Sequence, residues 1–477
     1  MMRQTFATIL LLVSLTGGCA FYRPNPLDPS ENAHLLESRS LEDPGLRLFL
    51  DRQGRSPKHW PKRSWNLSDL TLVALYENPD FAVQRTTVAL ARAGITTAGQ
   101  RPNPGISSFA ALNSIVIAPE ETSPWALGLL FDVPFETAGK RGIRLQRARD
   151  LAMAEKFRLG QAAWNVRSLV RRRFLICVRQ IRQSENLKRE VEIRTRILAL
   201  WHLRHVAGEA SAMDENTARI SLEHARLSLN ASREFESSSR VALAQAVGLP
   251  EKALKGIRLS FADLETVPSF DRLPAPSVQR AALINRLDIR AALAQYAASE
   301  EALRLEVANQ YPNFHLGPGG YSFVQGDNMW SVGFSIPLPI LNQNQGPIAE
   351  ARARRRRAYA RFTALQFQVI GQIEAALIHY RGSLQSSETT RRILARQKDY
   401  QRQVDRRFRA GEVGRMTLMN GKLALLMAES DRLIALSKAQ RTLESLEDAV
   451  QAPLMEASAR APKYPLRRHD IHGSLQK

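Results

Sequence analysis

His202 and His205 stand three residues apart, a spacing that on a helix puts two imidazoles on one face, able to hold a soft or borderline cation. Met416, Met419 and Met427 offer thioethers at helical spacing, a ligand type suited to Cu(I). Neither set has a cysteine beside it, and methionines at such intervals ordinarily fill gaps in packing. The reading is therefore no metal site and no cofactor. No HExxH, P-loop, GxSxG or paired-cysteine pattern occurs in the chain, so no reaction has a residue set to carry it and an enzyme is not expected.

The two cysteines point elsewhere. Arg3, the apolar run Phe6 to Leu15 and the small residues Thr16-Gly17-Gly18 precede Cys19, the layout of an export signal. Cys19 resembles the acylated cysteine of a bacterial lipoprotein, with Ala20 and Phe21 after it and no aspartate to favour the inner membrane. The alternative is an ordinary signal peptide with Cys19 incidental. Cys177, in RRRFLICVRQ, reads as a small buried residue.

A formal charge of +21 predicts attraction to polyanions, whether nucleic acid, anionic lipid headgroups or lipopolysaccharide. Its densest expression is PLPILNQNQGPIAEARARRRRA, with Arg352, Arg354, Arg355, Arg356 and Arg357 just after a proline-bracketed apolar segment. Export argues against nucleic acid as the partner.

Prolines show which elements must position these residues. None lies between Pro134 and Pro250 or between Pro347 and Pro453, and two such stretches predict long helices. Phe362, Leu365, Val369, Ile373, Leu377, Tyr380 and Leu384 fall at three- and four-residue steps, an amphipathic pattern with coiled-coil-like spacing. Each stretch is interrupted by a similar hexapeptide, Arg204-His-Val-Ala-Gly-Glu209 and Arg407-Phe-Arg-Ala-Gly-Glu412, so Gly208 and Gly411 read as turns between antiparallel helices.

The correspondence extends upstream. NPDFAVQRTTVALARAG pairs with RLDIRAALAQYAASEEA, and Trp125-Ala-Leu-Gly128 with Trp330-Ser-Val-Gly333, at offsets close to the 203 separating the turn glycines. A tandem repeat follows. Before each long helix lies a segment with the chemistry of two strands around a Pro/Gly/Asp/Asn loop. Four strands cannot close a membrane barrel, so if they enter a membrane several chains must share one.

On these residues the chain resembles the TolC-type outer-membrane efflux family, from about Leu67 to Leu454. The matching signals are Asn78-Pro79-Asp80, Gln100-x-Pro102, Gln310-x-Pro312, the Trp-x-x-Gly strand starts and the paired Ala-Gly-Glu turns. The proline-leucine-proline segment and Gln345-Gly346-Pro347-Ile348-Ala349 are similar to the CzcC-like heavy-metal branch. The resemblance implies a mainly α fold with a small β part. Its long antiparallel helices form an α-barrel in a homotrimer, and four transmembrane strands per chain contribute to a shared 12-stranded barrel. The implied partners are a periplasmic adaptor, an inner-membrane pump of RND type and outer-membrane lipid. The expected function is a passive exit duct for heavy-metal cations, with drug export or type I protein secretion as an alternative cargo and a periplasmic coiled-coil scaffold as the rival class.

The expected segments are a signal peptide over 1–18, an extended stretch over 19–66, repeats over 67–265 and 266–454, and a basic tail over 455–477. In the family, aspartates six or nine residues after the turn glycine line the periplasmic aperture; the positions here hold Asp214 in the first repeat and Thr417 and Asn420 in the second. A structural alternative makes Asp214 a helix cap. Gly208, Glu209, Gly411 and Glu412 fall where the family's adaptor docks. Trp125, Trp330, Tyr321 and Phe323 form either an interfacial aromatic belt or packing at the barrel base. The arginine run has a counterpart in Lys140, Arg141, Arg144 and Arg147, so both read as a basic collar against phospholipid headgroups, with solvated helix starts as the alternative.

Overall fold

A computed structural model of the chain describes residues 21–55, 59–112, 125–261, 264–270, 276–323 and 328–454. Cys19 lies outside the described residues. The stretch expected to be extended instead contains two short helices, α1 (Pro29–Ser38) and α2 (Pro44–Arg52). Asp28 and Asp43 cap them, each followed by a proline whose fixed φ suits the first helical position.

β1 (Ser64–Trp65) leads into α3 (Leu67–Glu77) and α4 (Pro79–Gly99). Asn78 separates these helices because its side chain accepts from the Phe81 N–H at 3.1 Å, capping α4, while its amide donates to the Ala246 carbonyl at 3.2 Å. Strands β2 (Gly105–Leu112) and β3 (Trp125–Phe135) follow, then α5 (Lys140–Val206) and α6 (Ala212–Val247). After β4 (Arg258–Leu259), which pairs parallel with β1, the same order recurs. It comprises α7 (Pro276–Asn285), α8 (Leu287–Ala308), β5 (Phe314–Phe323), β6 (Asn328–Ser335), α9 (Gln345–Arg409) and α10 (Arg415–Val450).

At 67 and 65 residues, α5 and α9 each run about 100 Å, several times the length of an ordinary globular helix. Such rods are stable only where their apolar stripes are covered, and α5 packs against α4, α6, α8 and α10. One core joins Trp65, Leu70 and Val73 to Val170, Phe174 and Cys177 of α5 and to Leu243 and Val247 of α6. Cys177 is fully buried there, and burial pushes its thiol up. A second core sets Val369, Ile373 and Tyr380 of α9 against Leu443 and Leu446 of α10. A third, at the far end of the rods, gathers Val404, Leu418 and Met419 with Ile193, Ile197 and Leu200, which brings the two helical hairpin ends together.

The four longer strands form one antiparallel sheet in the order β2-β3-β5-β6, leaving β2 and β6 as its edges. Among the described residues no helix is long and apolar enough to cross a membrane.

Candidate functional site

Side chains alternate along a strand, and partners directly across an antiparallel ladder share a face. The pairs Ile106–Phe131, Ala110–Leu127 and Leu112–Trp125, together with Val133–Leu316–Phe334, Pro318–Val332 and Phe135–Phe314, therefore define one face. Ser108, opposite Leu129, interrupts it, but the face is otherwise largely apolar and open to solvent in the single chain, with Trp330 88% and Val332 74% exposed. The opposite face carries Ser107, Asp132, His315, Ser331 and Ser335 among glycines, with Phe109, Leu130 and Met329. Largely apolar on one side and mixed, with the charged and most of the hydroxyl groups, on the other, in strands of up to 11 residues, is the pattern of a membrane-spanning sheet.

Trp125 and Trp330 lie on the apolar face, toward the end of the sheet away from the helices. In the register Tyr321 stands opposite Gly128 and Phe323 opposite Ala126, backbone positions out of phase with Trp125 of the expected belt. Its helix-side row is instead Phe135, Phe314 and Phe334, stacked at 5.0 Å and tilted at 5.7 Å between ring centroids. These three keep the strand phase of Trp125 and Trp330, a signal available in the sequence.

At the sheet–helix junction the basic residues divide into two groups. Lys140 is only 6% exposed, and its Nζ donates to the Tyr311 carbonyl and the Asn313 Oδ1, each at 2.6 Å. Burial pushes its ammonium down, and the bonds tie the start of α5 to the link before β5. Lys140 is thus an internal latch and is withdrawn from the collar. Arg141 donates to the Gly99 carbonyl at 2.7 Å, and Arg144 pairs with Glu136, whose carboxyl that hydrogen bond holds below the usual range. Arg354 pairs with Glu350 at 2.7 Å and Arg355 with Glu300 at 3.3 Å. Arg147, Arg352, Arg354, Arg356 and Arg357 are exposed.

The hairpin ends are built on one plan. Gly208 and Gly411 take φ values of +76° and +80°, which a side chain would strain. The Glu209 N–H donates to the Arg204 carbonyl at 2.8 Å and the Glu412 N–H to the Arg407 carbonyl at 2.9 Å, closing the same six-residue cap. The same residues also pair through side chains, at 3.5 Å and 2.9 Å.

Asp214 is exposed, but its carboxylate is engaged. It accepts from the Ser211 hydroxyl at 2.6 Å and the Ser211 N–H at 3.0 Å, in a capping box with Ser211 at the cap and Asp214 at the third position. Those hydrogen bonds hold it below the usual carboxylate range. Thr417 and Asn420 lie exposed in the first turns of α10. His202 and His205 do not converge: one ring is 3.3 Å from Glu215 and the other 3.1 Å from the Ala210 carbonyl. Met419 is buried in the packing at this end, whereas Met427 is exposed.

Sequence reasoning missed two groups of charges. Arg167 and Arg171 of α5 both bind Glu447 of α10, which is 0% exposed; Arg172 binds Glu444 at 3.2 Å and Trp164 donates to Asp448 at 2.8 Å. Burial pushes Glu444 up to about 7, against the pull of Arg172. On the polar face of the sheet, His315 and Asp132 meet at 2.9 Å. Both groups join the two halves of the chain, and no local pattern signals either.

Known proteins share this arrangement. The sequence model described as "Outer membrane efflux protein" matches twice, over residues 71–249 and 278–450. The cobalt-zinc-cadmium resistance protein CzcC of Cupriavidus metallidurans is 27% identical over 224 residues, 46% of this chain and 51% of CzcC. The aligned stretch thus spans about half the length of that relative. Among solved structures, the outer membrane protein VceC of Vibrio cholerae superposes with a TM-score of 0.64 at 17% identity, over 82% of this chain and 97% of VceC. The outer-membrane channel OprN gives 0.66 at 18% identity, over 92% and 99% of the two chains. The CmeC outer membrane channel of Campylobacter jejuni gives 0.62 at 16% identity, over 93% and 94%. With its order of elements occurring twice and the family model matching each time, the chain belongs to the outer membrane efflux protein family.

Proposed function

We propose that this protein is the passive exit duct of a three-part efflux system, a homotrimer working with a periplasmic adaptor and an inner-membrane pump of RND type. The observation that carries the reading is the open four-stranded sheet with one largely apolar face, fused to rods of about 100 Å. Unpaired edges on β2 and β6 are costly in hydrocarbon, and three copies supply 12 strands that pair every edge. The rods then cross the periplasm, with acylation of Cys19 as a second anchor. Heavy-metal cations are the cargo favoured by the similarity to CzcC.

Gly208, Glu209, Gly411 and Glu412 form the adaptor-docking ends, where turn glycines let another backbone approach closely. Asp214, Thr417 and Asn420 border the aperture, a sparsely acidic ring whose one carboxylate is steadied by Ser211. Arg147, Arg352, Arg354, Arg356 and Arg357 make the collar, each nearby charge attracting anionic headgroups by about 1 kcal/mol or less.

Detergent-purified protein is expected to have the mass of three chains and to give single-channel conductance in planar bilayers. A soluble monomer in detergent-free extracts ends this reading. Replacing Arg354, Arg356 and Arg357 by glutamine is expected to weaken binding to anionic-lipid vesicles, and unchanged binding removes the collar.

A further inference from the structure

Asp132 and His315 come from strands of different halves, 183 residues apart, and meet on the face of the sheet opposite the apolar band. His315 is the second residue of β5 and Asp132 lies three residues before the end of β3, so the pair sits at the helix-side mouth of the sheet. Its ladder partners there include Gly105 opposite Asp132 and Ser335 opposite His315, small groups that leave the side chains 58% and 41% exposed. Among the residues of that face whose side chains are described, these two are the titratable ones.

The His315 Nδ1 lies 2.9 Å and 3.2 Å from the two Asp132 oxygens. An ionised carboxylate only accepts, so Nδ1 carries the hydrogen and the lone pair left for a ligand is the one on Nε2. A carboxylate holding one imidazole nitrogen while the other faces a metal is the recurring support of histidine ligands, and imidazole suits zinc, copper, nickel and related cations. Resting on the duct reading above, we propose that His315, positioned by Asp132, is a contact point for divalent transition-metal cations at the mouth of the barrel. Among the described residues no three histidine, cysteine or acidic side chains converge. A cation therefore meets one imidazole and keeps most of its waters, a hold weak enough to release it onward, as conduction requires. Three copies place three such contacts around the lumen.

Two measurements test the contact on the full-length, detergent-purified protein. In planar bilayers, cadmium or zinc is expected to produce brief blocks of the single-channel current. His315→Gln abolishes them, and Asp132→Ala raises the half-blocking concentration about tenfold or more. His224→Gln, on the exposed surface of α6, leaves the block unchanged. In calorimetric titration with zinc, the difference between wild type and His315→Gln is expected to be one site per chain. Identical isotherms, or a block that survives His315→Gln, overturn the proposal. Conductance without any His315-dependent metal effect sinks the contact and leaves the duct standing. A His315-dependent zinc site in a protein that conducts nothing does the reverse.

Discussion

The helices α6 and α10 are both 36 residues long, stand 203 positions apart and leave the same type of turn, yet they are secured at different places. α6 is held at its start, where Ser211 and Asp214 close a capping box and buried Glu215 takes His202 at 3.3 Å and Arg219 at 2.7 Å. Burial pushes Glu215 up, and its two basic partners outweigh that, leaving the carboxyl below the usual range. α10 starts on Gly414 with no side-chain cap, and Leu418 occupies the place of Glu215 in an apolar cluster. At the other ends the roles reverse. Val241, Ala244 and Gln245 of α6 correspond to Glu444, Glu447 and Asp448 of α10, where three arginines and Trp164 of α5 converge. A repeat can keep its backbone devices while moving its polar investment from one end of a helix to the other.

The contrast is broken most severely at Glu447. Glu447→Ala leaves Arg167 and Arg171 buried without their counter-charge, and a loss of about 3–5 kcal/mol is expected in denaturant unfolding of the detergent-purified protein. Next is the pH response of Glu444, whose carboxyl is raised from an ordinary 4.5 to about 7. The folded state then binds more protons than the unfolded one between these values. The contribution of Glu444 to stability is fully present below about 4.5 and declines as pH rises toward and through about 7, by on the order of 3 kcal/mol. Glu444→Gln is expected to flatten the fall in melting temperature from pH 5 to pH 8.

Smaller changes sharpen the comparison at the opposite ends. Ser211→Ala removes the cap of α6 and is expected to cost about 1 kcal/mol, whereas Gly414→Ser is expected to gain a few tenths by giving α10 a cap it lacks. Hydrogen exchange of the first turns reads both. The smallest effect belongs to the exposed Arg407–Glu412 pair, where Glu412→Gln is expected to change stability by about 0.5 kcal/mol or less.

Much of this architecture was legible in the sequence because its signals are local. Proline-free stretches mark α5 and α9, the paired Ala-Gly-Glu segments mark Gly208 and Gly411, and alternation phases the strands. Asp28-Pro29 and Asp43-Pro44 were equally local signs of helix starts, overshadowed by the polar composition around them. What stayed hidden depends on neighbours far along the chain. Lys140 looks like Arg147 in sequence, and only the approach of Tyr311 and Asn313 turns it from a surface charge into a latch. Arg171 and Glu447 are 276 residues apart, and periodicity says which stripe each occupies but not what faces that stripe.

The latch at Lys140 gains another significance from the length of the helix it begins. A rod of about 100 Å pivoting at its base carries its tip about 9 Å sideways for a tilt of about 5°. The grip of Lys140 on Tyr311 and Asn313 stands close to that fulcrum, so a tilt that loosened these two hydrogen bonds at the sheet–helix junction would be geared up into a far larger displacement at the distant hairpin ends.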